Sequence, residues 1–118
     1  MAGIAFYHTP NREEVVAFYT ERLDATVWLE QEGGCTILQR ENFLFGFCDG
    51  DAPEGGTILT FVVDSTGAVD AFYEELSDVA SGEPEENETF EIYQFFAEDP
   101  DGRAVEIQTF LHPTPPVP

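Results

Sequence analysis

Ala17-Phe18-Tyr19 returns as Ala71-Phe72-Tyr73, 54 residues further along. The same offset sets Ile4 on Ile58 and Asn11 on Ser65, and brings Leu23 within one place of Leu76. Each tripeptide sits in a stretch of helical spacing that follows a β-rich run. The chain therefore reads as two copies of one strand-then-helix unit. A solenoid needs at least three repeats, so two point to a duplicated module.

Working outward from the first copy, Gly3 to His8 is rich in Ile, Phe and Tyr and reads as a strand. Asn11, with Glu14 three residues on, is a capping-box-like helix start. Val15, Phe18, Tyr19, Arg22 and Leu23 then follow helical spacing. Ala25 to Gln31, Cys35 to Gln39 and Phe43 to Cys48 read as strands, the last two joined around Arg40-Glu41-Asn42. From the second copy, Thr57 to Asp64 is a strand, and Ser65 or Thr66 caps a helix running to about Ser77. Its inward side carries Val69, Phe72, Tyr73 and Leu76. Val79 to Gly82 reads as a short edge strand, Glu83 to Glu88 as an acidic loop, and Thr89 to Ala97 and Ala104 to Phe110 as strands. Both copies are βαβββ. One domain is expected over residues 1–110, with module 1 over 3–48, a turn-rich linker over 49–56 and module 2 over 57–110. Residues 111–118 form a Pro-rich tail.

A length of 118 residues is enough for one domain, and each half is too small to be comfortable alone. The charge is extreme: 24 acidic residues, four Arg and no Lys, for a formal net charge of −20. Nucleic acid and anionic membrane are thereby excluded as expected partners, because both need a basic surface. The acids are spread along the whole chain, which favours adaptation to high salt over a local docking patch. No segment is apolar and long enough to span a membrane. Met1-Ala2-Gly3-Ile4 lacks the basic and apolar regions of a signal peptide, so a cytoplasmic location is expected. Cys35 and Cys48 are accordingly read as buried thiols and not as a bridge.

Asp99-Pro100-Asp101-Gly102, running into Arg103-Ala104-Val105-Glu106-Ile107, together with the Ala-Phe-Tyr helix and the two-module pattern, resembles the vicinal oxygen chelate superfamily. This is the group of glyoxalases, bleomycin resistance proteins and extradiol dioxygenases. The resemblance runs from Ile4 to about Phe110. It implies an α+β fold of two βαβββ modules that form a cupped, incompletely closed mixed β-sheet. It also implies a homodimer and a small-molecule ligand.

In metal-using members, His, Gln and Glu side chains from the first and last strands of the modules hold a divalent ion. Carried onto this chain, Glu106 matches the last-strand Glu, while Ile4, Ile58 and Phe45 fall at the other three positions. None of those three has a lone pair to give. His8 lies four residues from Ile4, roughly 13 Å along the strand at 3.3 Å per residue, and His112 lies in the tail. Asp49-Gly50-Asp51 does not open a calcium loop, since its twelfth position is Thr60 and not Glu. No metal and no cofactor are expected.

Strand parity then proposes a pocket of Phe6, Trp28, Phe45, Phe47, Thr60, Tyr93, Phe95 and Gln108 around Glu106, the candidate catalytic carboxylate. Gln108, Tyr93 or an Arg would be its partner. Arg40 and Arg103 are candidate anchors for a ligand carboxylate, or partners for local acids. The favoured function is a metal-free domain that sequesters or senses a small molecule. Alternatives are a metal-dependent lyase, isomerase or dioxygenase, a metal-free enzyme using Glu106, and a domain whose cup is filled by its own aromatics.

Overall fold

The computed structural model describes residues 2–51, 53 and 55–117; Ala52 and Glu54 of the expected linker, the terminal Met1 and Pro118 of the tail lie outside them. The chain divides into two compact units, Met1–Gly56 and Thr57–Pro118. Each is built on one mixed four-stranded sheet with one helix on one face, and neither sheet closes into a barrel.

In the first unit, β1 (Ile4–Thr9) leads into α1 (Arg12–Arg22), followed by β2 (Thr26–Gln31), β3 (Cys35–Arg40) and β4 (Phe43–Asp49). The sheet order is β1-β4-β3-β2, with β1 and β4 parallel and the other pairs antiparallel. Helix α1 packs on β3 and β4. Tyr19 fills this interface, its ring 5.3 Å from that of Phe45 and 5.2 Å from that of Phe47, and all three side chains are fully buried. Such aromatic pairs add about 0.5–1.5 kcal/mol each beyond their burial. Asn11 precedes the helix but makes no side-chain cap; Thr9 Oγ1 instead accepts from the Asn11 backbone N–H.

In the second unit, β5 (Ile58–Val62) leads into α2 (Thr66–Leu76), then β6 (Glu85–Asn87), β7 (Ile92–Glu98) and β8 (Ala104–Phe110). The order β5-β8-β7-β6 repeats that of the first unit. Here the helix is capped by its side chain, Ser65 Oγ accepting from the Ala68 N–H at 3.1 Å. Val15 and Val69, 54 residues apart, are both fully buried under their sheets, so the repeat in sequence is a repeat in structure.

Four expectations change. Edge strand β6 falls within the stretch read as an acidic loop, whereas of the expected edge strand Val79–Gly82 only Ala80 bridges, to Ala97. Strand β7 starts at Ile92, not Thr89. Residues 88–91 form a turn, with Glu91 at φ 53°. Cys35 and Cys48 are joined in a disulfide. The β3–β4 register sets them directly opposite, because a two-residue connection at Glu41-Asn42 pairs Arg40 with Phe43 and counts back to Cys35 and Cys48. Lastly, Phe45 and Phe47 belong to the helix-side core and not to the open face, as do Tyr93 and Phe95. Tyr93 donates to Asp70 of α2 at 2.6 Å, and the Phe95 ring lies 5.5 Å from that of Tyr73.

Candidate functional site

The turn that launches β8 is fixed by one buried carboxylate. Asp99 Oδ1 accepts from the backbone N–H groups of Asp101 and Arg103, both at 2.9 Å, while Oδ2 takes the Arg103 guanidinium at 2.6 Å. Arg103 also meets Asp101 at 3.5 Å, and Gly102 supplies the φ of 78° that closes the turn. Arg103 is thus committed to the turn. Arg40 donates to the Leu23 carbonyl at 2.9 Å, tying β3 to the end of α1. Each of these two arginines therefore serves the scaffold.

Strand β8 alternates from this turn. Val105, Ile107 and Thr109 are buried toward α2, while Glu106, Gln108 and Phe110 point to the open face of the sheet. The registers bring Thr60 of β5 beside Glu106 and Phe96 of β7 on its other side, and set Gln94 opposite Gln108. Glu106 is buried, 9% exposed, and both its oxygens are engaged. Oε1 accepts from the Thr60 hydroxyl at 2.7 Å and Oε2 from the Gln94 amide at 2.5 Å. Gln94 is itself oriented by Asn87, whose amide donates to Gln94 Oε1 at 3.0 Å; Asn87 Oδ1 accepts from the Phe90 N–H.

Around this group lies a concavity of about 450 Å³, lined by Asn87, Phe90, Ile92, Gln94, Phe96, Glu106, Gln108 and Phe110. Its size and its mixture of aromatic walls with a few polar groups are those of a small-molecule site. Gln108 Oε1 is buried with no hydrogen-bond partner among the described residues.

Of the expected pocket residues, Thr60 and Gln108 join Glu106 on this face. Phe6 lies on the open face of the first unit, and Trp28 lies half-exposed at an irregularity in β2. Phe45, Phe47, Tyr93 and Phe95 lie on the helix side. Tyr93 pairs with Asp70, which raises its phenol above the ordinary value, chiefly through that hydrogen bond and then through burial and the Asp70 charge. Glu106 is therefore partnered by Thr60 and Gln94, and neither Tyr93 nor an Arg takes that place. Gln94 was missed, although a lone amide among Ile92, Tyr93, Phe95 and Phe96 is an audible signal in an otherwise apolar strand. Asn87 was missed because its segment reads as loop, and Phe90 because it reads as part of a strand from Thr89, whereas it lies in the turn before Ile92.

The duplication supplies an internal comparison. Phe6 pairs with Gly46 as Thr60 pairs with Glu106, so Gly46 is the counterpart of Glu106, one place from the Phe45 expected there. A Cβ on Gly46 would meet the Phe6 ring at 2.7 Å. In the first unit, then, a phenyl ring covers the place where the second unit holds its carboxylate. Cys35 and Cys48 likewise stand where the second unit has Gln94 and Gln108.

No family's sequence profile matches the chain, and no curated protein matches it in sequence. Solved structures do match. An integron cassette protein from the mobile metagenome of the Halifax Harbour sewage outfall aligns with a TM-score of 0.80 at 18% identity, over 93% of this chain and 98% of that one. A glyoxalase/bleomycin resistance protein/dioxygenase family enzyme from Burkholderia phytofirmans aligns with a TM-score of 0.80 at 18% identity, over 92% and 97%. The fold is that of the glyoxalase/bleomycin resistance/dioxygenase proteins. Lactoylglutathione lyase from Agrobacterium tumefaciens shares this glyoxalase fold, with a TM-score of 0.74 at 15% identity over 92% of each chain.

The glyoxalase fold raises the question of a divalent ion, which needs three or four lone-pair donors with one position left open. In the second unit, Ile58 shares the open face with Glu106 but offers no lone pair, and the groups turned to Glu106 are an N–H and an O–H donor. Among the described residues, no three His, Cys, Asp or Glu side chains converge. Besides Glu106, the hollow turns Gln108 Oε1 inward without a partner among the described residues, and two such groups fall short of the three an ion site needs.

Proposed function

We propose that the chain is a metal-independent small-molecule-binding protein of the glyoxalase fold, which sequesters or senses its ligand in the concavity around Glu106. The observation that carries this reading is the engagement of both Glu106 oxygens by Thr60 and Gln94 inside an aromatic-lined hollow. A carboxylate held this way is preorganised to receive a ligand, and its donors occupy the space that further metal ligands would take. In this reading the two modules act as one domain, and two chains form a homodimer. Exposed Ile58, Val62, Phe96 and Phe110 on the second unit, and Ile4, Phe6 and Leu29 on the first, support the dimer, because apolar sheet faces of this kind call for cover. The dispersed acidity suits a salt-rich surrounding. The disulfide argues for an oxidising compartment, where such bridges persist, over the cytoplasm.

Elemental analysis of the protein purified without a metal-binding tag tests the central statement. Zn, Fe, Mn and Ni are expected well below one per chain, both as isolated and after dialysis against each ion. Stoichiometric retention of any of them refutes metal independence.

A further inference from the structure

Glu106 and Gln108 turn acceptor sites with no donor of their own to the concavity, and this selects the ligand. Glu106 carries about four lone-pair sites, of which two are used by Thr60 and Gln94. Gln108 Oε1, two residues along on the same face and roughly 7 Å away at the rise of a strand, is buried without a partner. The amide relay from Asn87 through Gln94 fixes which end of Gln94 faces the carboxylate. Among the described residues, no cationic side chain lines the hollow. The chain's four arginines are engaged elsewhere: Arg12 with Asp49, Arg22 over the Phe18 ring, Arg40 with the Leu23 carbonyl and Arg103 with Asp99. A buried carboxylate with no counter-charge is costly. A neutral ligand leaves that cost in place, and an anion adds to it.

We propose that the Glu106 pocket takes an organic cation bearing N–H donors on an apolar or aromatic body, such as an amidinium or a primary ammonium. Its donors rest on Glu106 and Gln108 Oε1, and its body lies among Phe90, Phe96 and Phe110. Aromatic faces add attraction for a cation seated over them. The net charge of −20 draws such ligands toward the surface before they find the pocket. The inference rests on the reading of this hollow as a binding site and adds the charge class of its ligand.

Benzamidine, its neutral analogue benzamide and the anion benzoate make a matched set of probes. Each is titrated into the full chain near neutral pH, by calorimetry and by the NMR signals of the Gln94 and Gln108 side-chain amides. Benzamidine is expected to move both amide signals and to bind on the order of tenfold more tightly than benzamide, as a charge-assisted hydrogen bond exceeds a neutral one. Benzoate is expected not to bind. Glu106→Gln should erase the preference for benzamidine, bringing it to the affinity of benzamide. Gln108→Leu, which keeps the carboxylate, should weaken benzamidine a few-fold and covers the case in which Glu106→Gln does not fold. Equal binding of benzamidine and benzamide removes the cation and leaves the pocket standing. A benzamidine preference that survives Glu106→Gln assigns it to surface charge and overturns the proposal. Amide signals unmoved by all three probes remove both the proposal and the binding reading beneath it.

Discussion

Asp99→Ala is the sharpest test of how the scaffold holds the site. The substitution removes the acceptor of two backbone N–H bonds at 2.9 Å and of the guanidinium contact at 2.6 Å. It strands Arg103, itself 4% exposed, with Asp101 at 3.5 Å as its remaining carboxylate in this turn. Breaking one side of a buried ion pair costs about 3–5 kcal/mol, because the surviving charge stays buried. At about 4 °C of melting temperature per kcal/mol for a chain of this size, the loss is about 12–20 °C. Asp99→Asn retains Oδ1 for the backbone but turns N–H groups at the guanidinium, so it should cost nearly as much. In Asp99→Ala with Arg103→Met the stranded charge is gone, and part of the stability returns, about 1–3 kcal/mol. Urea unfolding of the unaltered protein, Asp99→Ala, Arg103→Met and the double variant gives the cycle. A loss below about 1 kcal/mol for Asp99→Ala, or strict additivity in the double variant, refutes the claim that a desolvated pair fixes the start of β8.

Three further outcomes are expected. Serine at both Cys35 and Cys48 should lower stability by about 3 kcal/mol, the loop-closure effect for a sequence separation of 13, and dithiothreitol should do the same to the unaltered protein in urea titrations. Ser65→Ala should cost about 1 kcal/mol and Asn11→Ala distinctly less, since Ser65 alone of the two makes a side-chain cap; equal losses by urea midpoint would contradict the cap assignment. With a net charge of −20, the melting temperature should climb from dilute buffer to about 1 M NaCl, where screening acts within about 3 Å; a flat calorimetric profile would count against salt adaptation.

Much of the fold was legible because the two modules speak the same pattern. The 54-residue offset located both helices, and the tight turn at Asp99 to Gly102 located β8 and Glu106. The losses came where the pattern is ambiguous. Strand β4 reads Phe43-Leu44-Phe45-Gly46-Phe47, apolar on both parities, so no polar residue marks its open face, and the face assignment reversed. Tyr93 and Phe95 misled for a related reason: aromatic residues suit a pocket and a helix-side core equally. The partner strand β6 is three residues of Glu-Glu-Asn, with no β-rich composition to announce it; its pairing with β7 makes it a strand. The disulfide was not legible because a connection read as Arg40-Glu41-Asn42 sets Cys35 opposite Phe47, and the expected compartment spoke against a bridge; the two-residue connection moves the partner to Cys48.

Gly46 beneath the Phe6 ring has a consequence for engineering. The first unit offers the same strand pair and the same register as the second, with a phenyl ring as a plug and a hydrogen atom where a side chain belongs. Gly46→Glu alone would drive a side chain into that ring. Made together with Phe6→Thr, it would copy the hydroxyl–carboxylate pair onto the other half of the chain. The duplicated scaffold thus carries, ready-made, the blank on which a second receptor of chosen specificity can be cut.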